Sequence, residues 1–118
     1  MSQITTHVLD VTRGTPAKNL PITLFKQEGS LATSGNWLEL ANGVTNSDGR
    51  ISGLLPDNTV LEAGTYRVHF ATQVYFDANK ERGFYPYVDI VFSLDAGGVH
   101  YHIPLLLSAF GYSTYRGS

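Results

Sequence analysis

An all-β antiparallel sandwich carrying one short helix is the fold this sequence predicts. Three observations carry that expectation. Apolar and polar residues alternate with a period of two over nearly the whole chain, turn-forming clusters interrupt the alternation at short intervals, and only one segment lacks it. Alternation of this period marks strands with one face on a core. About eight short strands separated by frequent turns are the signature of a sandwich.

The elements follow in order. "ITTHVLD" puts Ile4, Thr6 and Val8 on one face, with Thr5, His7 and Leu9 on the other. The cluster Arg13-Gly14-Thr15-Pro16 then breaks the strand. In "LPITLFK", Leu20, Ile22 and Leu24 alternate with Thr23 and Phe25. Asn42-Gly43, between "WLEL" and "VTN", reads as a two-residue hairpin turn. Ser47-Asp48-Gly49 and Ala63-Gly64 are further turn signals. In "TYRVHF", Tyr66, Val68 and Phe70 alternate with Arg67 and His69. Residues 72–86, "TQVYFDANKERGFYP", show no clean alternation. They predict the short helix, over about residues 73–82, with Gly83 and Pro86 to stop it. "VDIVFSL" returns to alternation, with Val88, Ile90, Phe92 and Leu94 against Asp89, Val91 and Ser93, and Ala96-Gly97-Gly98 closes it.

The last two strands are unusual. In "VHYHIPLLL", Val99, Tyr101, Ile103, Leu105 and Leu107 share a core face, and His100, His102, Pro104 and Leu106 share the other. In "FGYSTYR", Phe110, Tyr112 and Thr114 oppose Gly111, Ser113 and Tyr115. The outer face is therefore half apolar and carved out by glycine and serine. Such a face implies cover by another subunit, with a groove sized for a small molecule.

Bulk properties exclude several classes. The 118 residues suffice for one domain with a core and no more. A net charge of -2 gives no basic field for nucleic acid or anionic lipid. The absence of cysteine removes disulfides, thiolate zinc sites and a cysteine nucleophile. No apolar run approaches the roughly 20 residues of a membrane span, and "MSQITTHVLD" lacks the pattern of a secretory signal. A soluble cytoplasmic protein is expected.

Three places hold residues suited to chemistry: His7 in mid-strand, Arg50 directly after a tight turn, and His100 with His102 on one face of one strand. Histidine titrates near neutral pH and suits general-base work. Arginine stays charged, and its planar fork suits carbonyl or oxyanion groups. The His-x-His pair, with His7 as a third ligand, also has the form of a zinc site. Against that reading, no nearby carboxylate stands out to hold the rings, and Arg50 would repel the ion. His69 has no partner in the pattern and reads as structural. Pattern alone leads to an oligomeric sandwich with a histidine-lined groove.

The stretches "HVLDVTRGTPA", "NSDGR" and "HYHIPLLLSAFGYSTYRGS" resemble the 5-hydroxyisourate hydrolases, the transthyretin-related proteins of purine breakdown. The resemblance spans essentially the whole chain, and the terminal Tyr-Arg-Gly-Ser separates this family from the hormone-carrying transthyretins. It implies a transthyretin-like sandwich of two four-stranded sheets with one short helix. It implies a homotetramer, a dimer of dimers with a central channel, and no nucleic-acid or membrane partner. The implied reaction is the hydrolysis of 5-hydroxyisourate to 2-oxo-4-hydroxy-4-carboxy-5-ureidoimidazoline, without metal or cofactor. By position, His7, Arg50 and His102 are the catalytic residues. His100, Ser113, Tyr115, Arg116, Gly117 and Ser118 are the substrate-binding ones, with His100 at the channel mouth. Gly117 would let the backbone pass close to neighbouring groups, while Arg116 and the Ser118 carboxylate supply fixed polar groups. The alternative is a transthyretin-like carrier of small aromatic ligands in the same channel.

Overall fold

The computed structural model describes residues 2–28 and 36–117. Among the described residues there are eight strands and one helix: β1 (Ile4–Asp10), β2 (Thr15–Pro16), β3 (Pro21–Gln27), β4 (Trp37–Val44), β5 (Gly64–Phe70), α1 (Thr72–Ala78), β6 (Val88–Leu94), β7 (Tyr101–Leu107) and β8 (Tyr112–Thr114). They form two four-stranded sheets, ordered β2-β1-β7-β8 and β4-β3-β5-β6. The sheets close on Ile4, Val8, Ile22, Leu24, Tyr66, Val68, Phe70, Leu105 and Leu107, all buried. These are the positions that the period-two reading places inward. Val99 is the exception: it precedes β7 and is 56% exposed, because the strand begins only at Tyr101.

One pairing departs from the antiparallel expectation. β1 and β7 run parallel, in register from Ile4↔Tyr101 to Asp10↔Leu107. Parallel neighbours need a long crossover, and the whole second sheet lies between these two strands in the chain. The Asn42-Gly43 hairpin is also corrected. Both residues lie inside β4, paired with Thr23 and Ile22 of β3. A side chain at position 43 would come within 3.0 Å of the Ile51 side chain. Glycine is there for close packing, not for a turn.

The helix is shorter than the sequence predicts and stops at Ala78, ahead of Gly83. Lys80 takes a left-handed conformation (φ 56). The Lys80 N–H donates to the Asp77 carbonyl (3.0 Å) and the Glu81 N–H to that of Phe76 (2.9 Å). This is a Schellman ending in which a lysine occupies the place glycine usually fills. The helix packs Tyr75 and Phe76 into the core. The Tyr75 hydroxyl donates to Oδ2 of Asp10 at 2.7 Å, and the Arg13 N–H donates to Oδ1 at 3.1 Å.

Asp10 is buried to 2% exposure at the end of β1, so both of its oxygens need these donors. Tyr75→Phe should therefore lower stability by about 1.5–3 kcal/mol, the scale of a hydrogen bond to a charged group. Denaturant unfolding at neutral pH measures it, and an unchanged midpoint would show the tyrosine hydroxyl to be idle.

Candidate active site

The parallel register sets the site. Paired residues of adjacent strands face the same way, so Thr5 stands beside His102 and His7 beside Pro104 on the outer face of the first sheet. His100, just before β7, turns onto the same face. Thr5 Oγ1 lies 2.8 Å from His100 Nε2 and 2.8 Å from His102 Nδ1, bridging the two rings.

Arg50 arrives by a different route. Asn46 Oδ1 accepts the N–H groups of Asp48 (2.9 Å) and Arg50 (3.2 Å), and the Asn46 N–H donates to the Arg50 carbonyl at 2.8 Å. Gly49 turns the chain with φ 76, and its carbonyl accepts the Val8 N–H at 2.8 Å. A Cβ at position 49 would collide with the Val8 carbonyl oxygen. This turn docks on β1 and leaves His7 and Arg50 opposite each other in an isolated antiparallel bridge.

The tail closes the third side. β8 pairs antiparallel with β7 from Leu105↔Thr114 to Leu107↔Tyr112. Beyond it, the Gly117 N–H donates to the His102 carbonyl at 2.9 Å. A Cβ at Gly117 would lie 2.5 Å from His102 Cδ2 and 3.1 Å from its Cβ, so the backbone rests on the imidazole.

Thr5, Thr6, Arg50, Ile51, Ser52, His100, His102, Tyr115 and Gly117 line an open pocket of about 470 Å³. Five of the sequence-predicted site residues are thus together: Arg50, His100, His102, Tyr115 and Gly117. His7 is not among the described lining residues, but it is bridged to Arg50 and contributes to lowering His102. Two others lie elsewhere. Ser113 borders a separate concavity on the same outer face with Leu106 and Gly111. The Arg116 guanidinium sits 4.4 Å over the ring of Tyr101, among Ile90, Phe92 and Ile103 at the edge of the sandwich. Ser118 lies outside the described residues. Thr5 was missed as a site residue, although its place two residues before His7 put it on the right face. Ile51 and Ser52 carried no signal, since only the docking of the Asn46–Gly49 turn brings them to the wall.

Burial and nearby charges lower two of the histidines, His7 and His102. Burial, reinforced by the Arg50 guanidinium, holds His7 below the ordinary 6.5, with Asp48 opposing. Burial and then Arg50, His100 and His7 lower His102, against a smaller opposing effect from the Thr5 backbone. A neutral ring keeps a lone pair with which to accept a proton. Among the described residues no cluster of three or more His, Asp or Glu is placed to hold a metal ion. His69, read as structural, lies on the other sheet with Nδ1 2.7 Å from Asp89 Oδ1.

Known proteins resemble this chain in sequence and fold. The model of the HIUase/Transthyretin family matches residues 4–117. A mouse 5-hydroxyisourate hydrolase is 43% identical over 117 residues, covering 99% of this chain and 96% of its own. The structure of Klebsiella pneumoniae 5-hydroxyisourate hydrolase superposes with a TM-score of 0.80 at 35% identity, covering 98% of each chain. Sea bream transthyretin in complex with thyroxine superposes at 0.87 with 32% identity, covering 98% of this chain and 95% of its own.

Two outcomes follow from the geometry. Gly117→Ala should displace the tail or the His102 ring, which the Thr5 bond holds in place, while removing no core contact. The thermal midpoint should move little, and NMR signals of His102 should shift strongly; an undisturbed ring would show that the tail does not press on it. The lowered histidines also give stability a sign with pH. Their folded values lie below the unfolded 6.5, so the unfolded chain takes up protons first on acidification. Their contribution is complete above about 6.5 and is lost as pH falls towards the folded values. Denaturant melts between neutral and mildly acid pH measure this, and His7→Gln or His102→Gln should flatten the dependence.

Proposed function

The chain belongs to the HIUase/Transthyretin family, and we propose that the pocket on its first sheet hydrolyses 5-hydroxyisourate. One observation carries the reading: an uncharged histidine and an arginine meet in one pocket, and Gly117 of the tail is fitted against that histidine. A carrier of the transthyretin kind needs a cavity of the right shape but no proton acceptor beside a fixed cation. The product is 2-oxo-4-hydroxy-4-carboxy-5-ureidoimidazoline.

Opening a cyclic amide needs a hydroxide equivalent at a carbonyl carbon and a positive group near the oxygen that gains charge. His102 lines the pocket and is held neutral, so it takes the proton from water. Arg50 faces the same space and stabilises the developing oxyanion or an anionic substrate. His7 is bridged to Arg50, and its lowered proton affinity keeps a further positive charge out of the site. Tyr115 and Gly117 shape the wall, and His100 supports His102. Positioned acid–base catalysis contributes roughly 10²–10⁴-fold, and one oxyanion donor about 10²–10³-fold.

The assembly belongs to the same reading. Val11, Phe110, Tyr112 and Tyr115 are exposed, and Val11 and Tyr112 border one concavity with Leu106. A monomer would leave this apolar surface in water. We assign it to a homotetramer, a dimer of dimers, in which this face lines a central channel and Ser113 meets the channel away from the histidines. Among the described residues no helix is long and apolar enough to cross a membrane. The cytoplasm is the proposed compartment, and the proposed reaction uses no metal or cofactor.

The decisive assay follows absorbance of freshly made 5-hydroxyisourate. Wild type should accelerate its decay, and His102→Ala and Arg50→Ala should each cut turnover by about 10²-fold or more in folded protein. Wild-type kcat/KM should hold level down to near pH 6.5 and fall only below it, because both histidines titrate below their ordinary value. Ligand binding with no acceleration would favour the carrier. Light scattering at micromolar concentration should return four times the chain mass of 12.9 kDa; a monomer would overturn the assembly.

A further inference from the structure

The Thr5 bridge deepens the proposed function and rests on it. A threonine hydroxyl has one proton to give and two lone pairs. It stands 2.8 Å from one nitrogen of each of two rings. Both contacts are hydrogen bonds only if at least one of those nitrogens carries a proton, so the tautomers of His100 and His102 are coupled. We propose that Thr5 is a proton-relay residue that joins His102 to His100, so that the positive charge created when water is deprotonated comes to rest on His100.

The steps balance. At rest the His102 Nδ1–H donates to Thr5 Oγ1, the Thr5 O–H donates to His100 Nε2, and His100 carries its own proton on Nδ1. His102 Nε2 then holds a lone pair. When a water O–H breaks and its proton bonds to His102 Nε2, the Nδ1 proton passes to Thr5 Oγ1. The former Thr5 proton passes to His100 Nε2. Threonine gains one proton and loses one, His102 ends neutral with its proton on Nε2, and His100 ends as the imidazolium. The hydroxide goes to the carbonyl carbon. His102 Nε2–H can then protonate the departing ring nitrogen, and the relay runs back.

Arg50 supplies the reason for moving the charge. It shares the pocket wall with both rings and disfavours a cation on His102. The relay carries that cation to a second ring whose centroid is 6.4 Å from the first. Thr5 acts through the histidines, so it is a positioning and relay residue.

Thr5→Val keeps the branched shape and removes the hydroxyl, while Thr5→Ser keeps the hydroxyl. The first should lower kcat by about 10- to 10²-fold with KM little changed, and should shift the acid limb of the pH profile. The second should recover most of the rate. Imidazole ¹⁵N shifts of the resting protein at neutral pH should place the His102 proton on Nδ1 in wild type and Thr5→Ser, and on both nitrogens in Thr5→Val. A full rate with an unaltered pH profile in Thr5→Val overturns the relay. So does a serine variant as slow as the valine one, or an unprotonated His102 Nδ1 in wild type. If Thr5→Val does not fold, the serine variant and the wild-type spectrum still decide. Should wild type fail to turn over 5-hydroxyisourate, the assigned function falls while the spectra still test the Thr5 coupling.

Discussion

The register of β1 against β7 is the constraint on which the site depends. The two strands come from opposite ends of the chain and lie side by side, in parallel, with Thr5 level with His102. Each then recruits a neighbour. β1 accepts the docked turn that presents Arg50, through the bond from Val8 N–H to the Gly49 carbonyl. β7 accepts the tail, through the bond from Gly117 N–H to the His102 carbonyl. A slip of one residue would send every side chain of β1 to the other face. It would bring Ile4, Thr6 and Val8 into water and leave the histidines without their hydroxyl.

The same sandwich serves both a thyroxine-binding protein and the hydrolases. Backbone superposition barely separates this chain from a thyroxine-binding relative, so the frame cannot carry the distinction. On the proposed reading the distinction rests on a few side chains on one face. Burial, reinforced by the Arg50 guanidinium, lowers His7 and His102, and an uncharged ring in a pocket can act as a base. The core is indifferent to this choice, because Ile4, Val8 and Leu105 point the other way.

Much of this was legible in the sequence, and the reasons differ by residue. The inward faces of β1, β3, β5 and β7 were readable because burial alternates along most of their length. The family resemblance supplied the two-sheet arrangement and the residues to which the proposed chemistry is assigned. Thr5 was on the correct face but looked like any strand threonine, since its partners come from a strand far along the chain. The parallel pairing was hidden for the same reason, as alternation fixes faces and says nothing of neighbours. Asn42-Gly43 misled because its glycine answers to Ile51 packed over it, which local turn chemistry cannot reveal. The helix end misled because Lys80 accepts a conformation normally left to glycine. Arg116 and Tyr115 were grouped as one motif, although only Tyr115 reaches the histidine pocket, while Arg116 stacks on Tyr101.

That last point bears on which length changes the protein tolerates. Chain termini usually absorb insertions and deletions without harm. Here, between β8 and the anchor at Gly117, only Tyr115 and Arg116 intervene, one bordering the histidine pocket and the other stacked on Tyr101. Dropping or adding one residue in that span would shift both from those places. The cation over Tyr101 would be displaced, and Gly117 would leave the position where its missing side chain is required. The segment is as intolerant of altered spacing as a strand at the centre of a sheet.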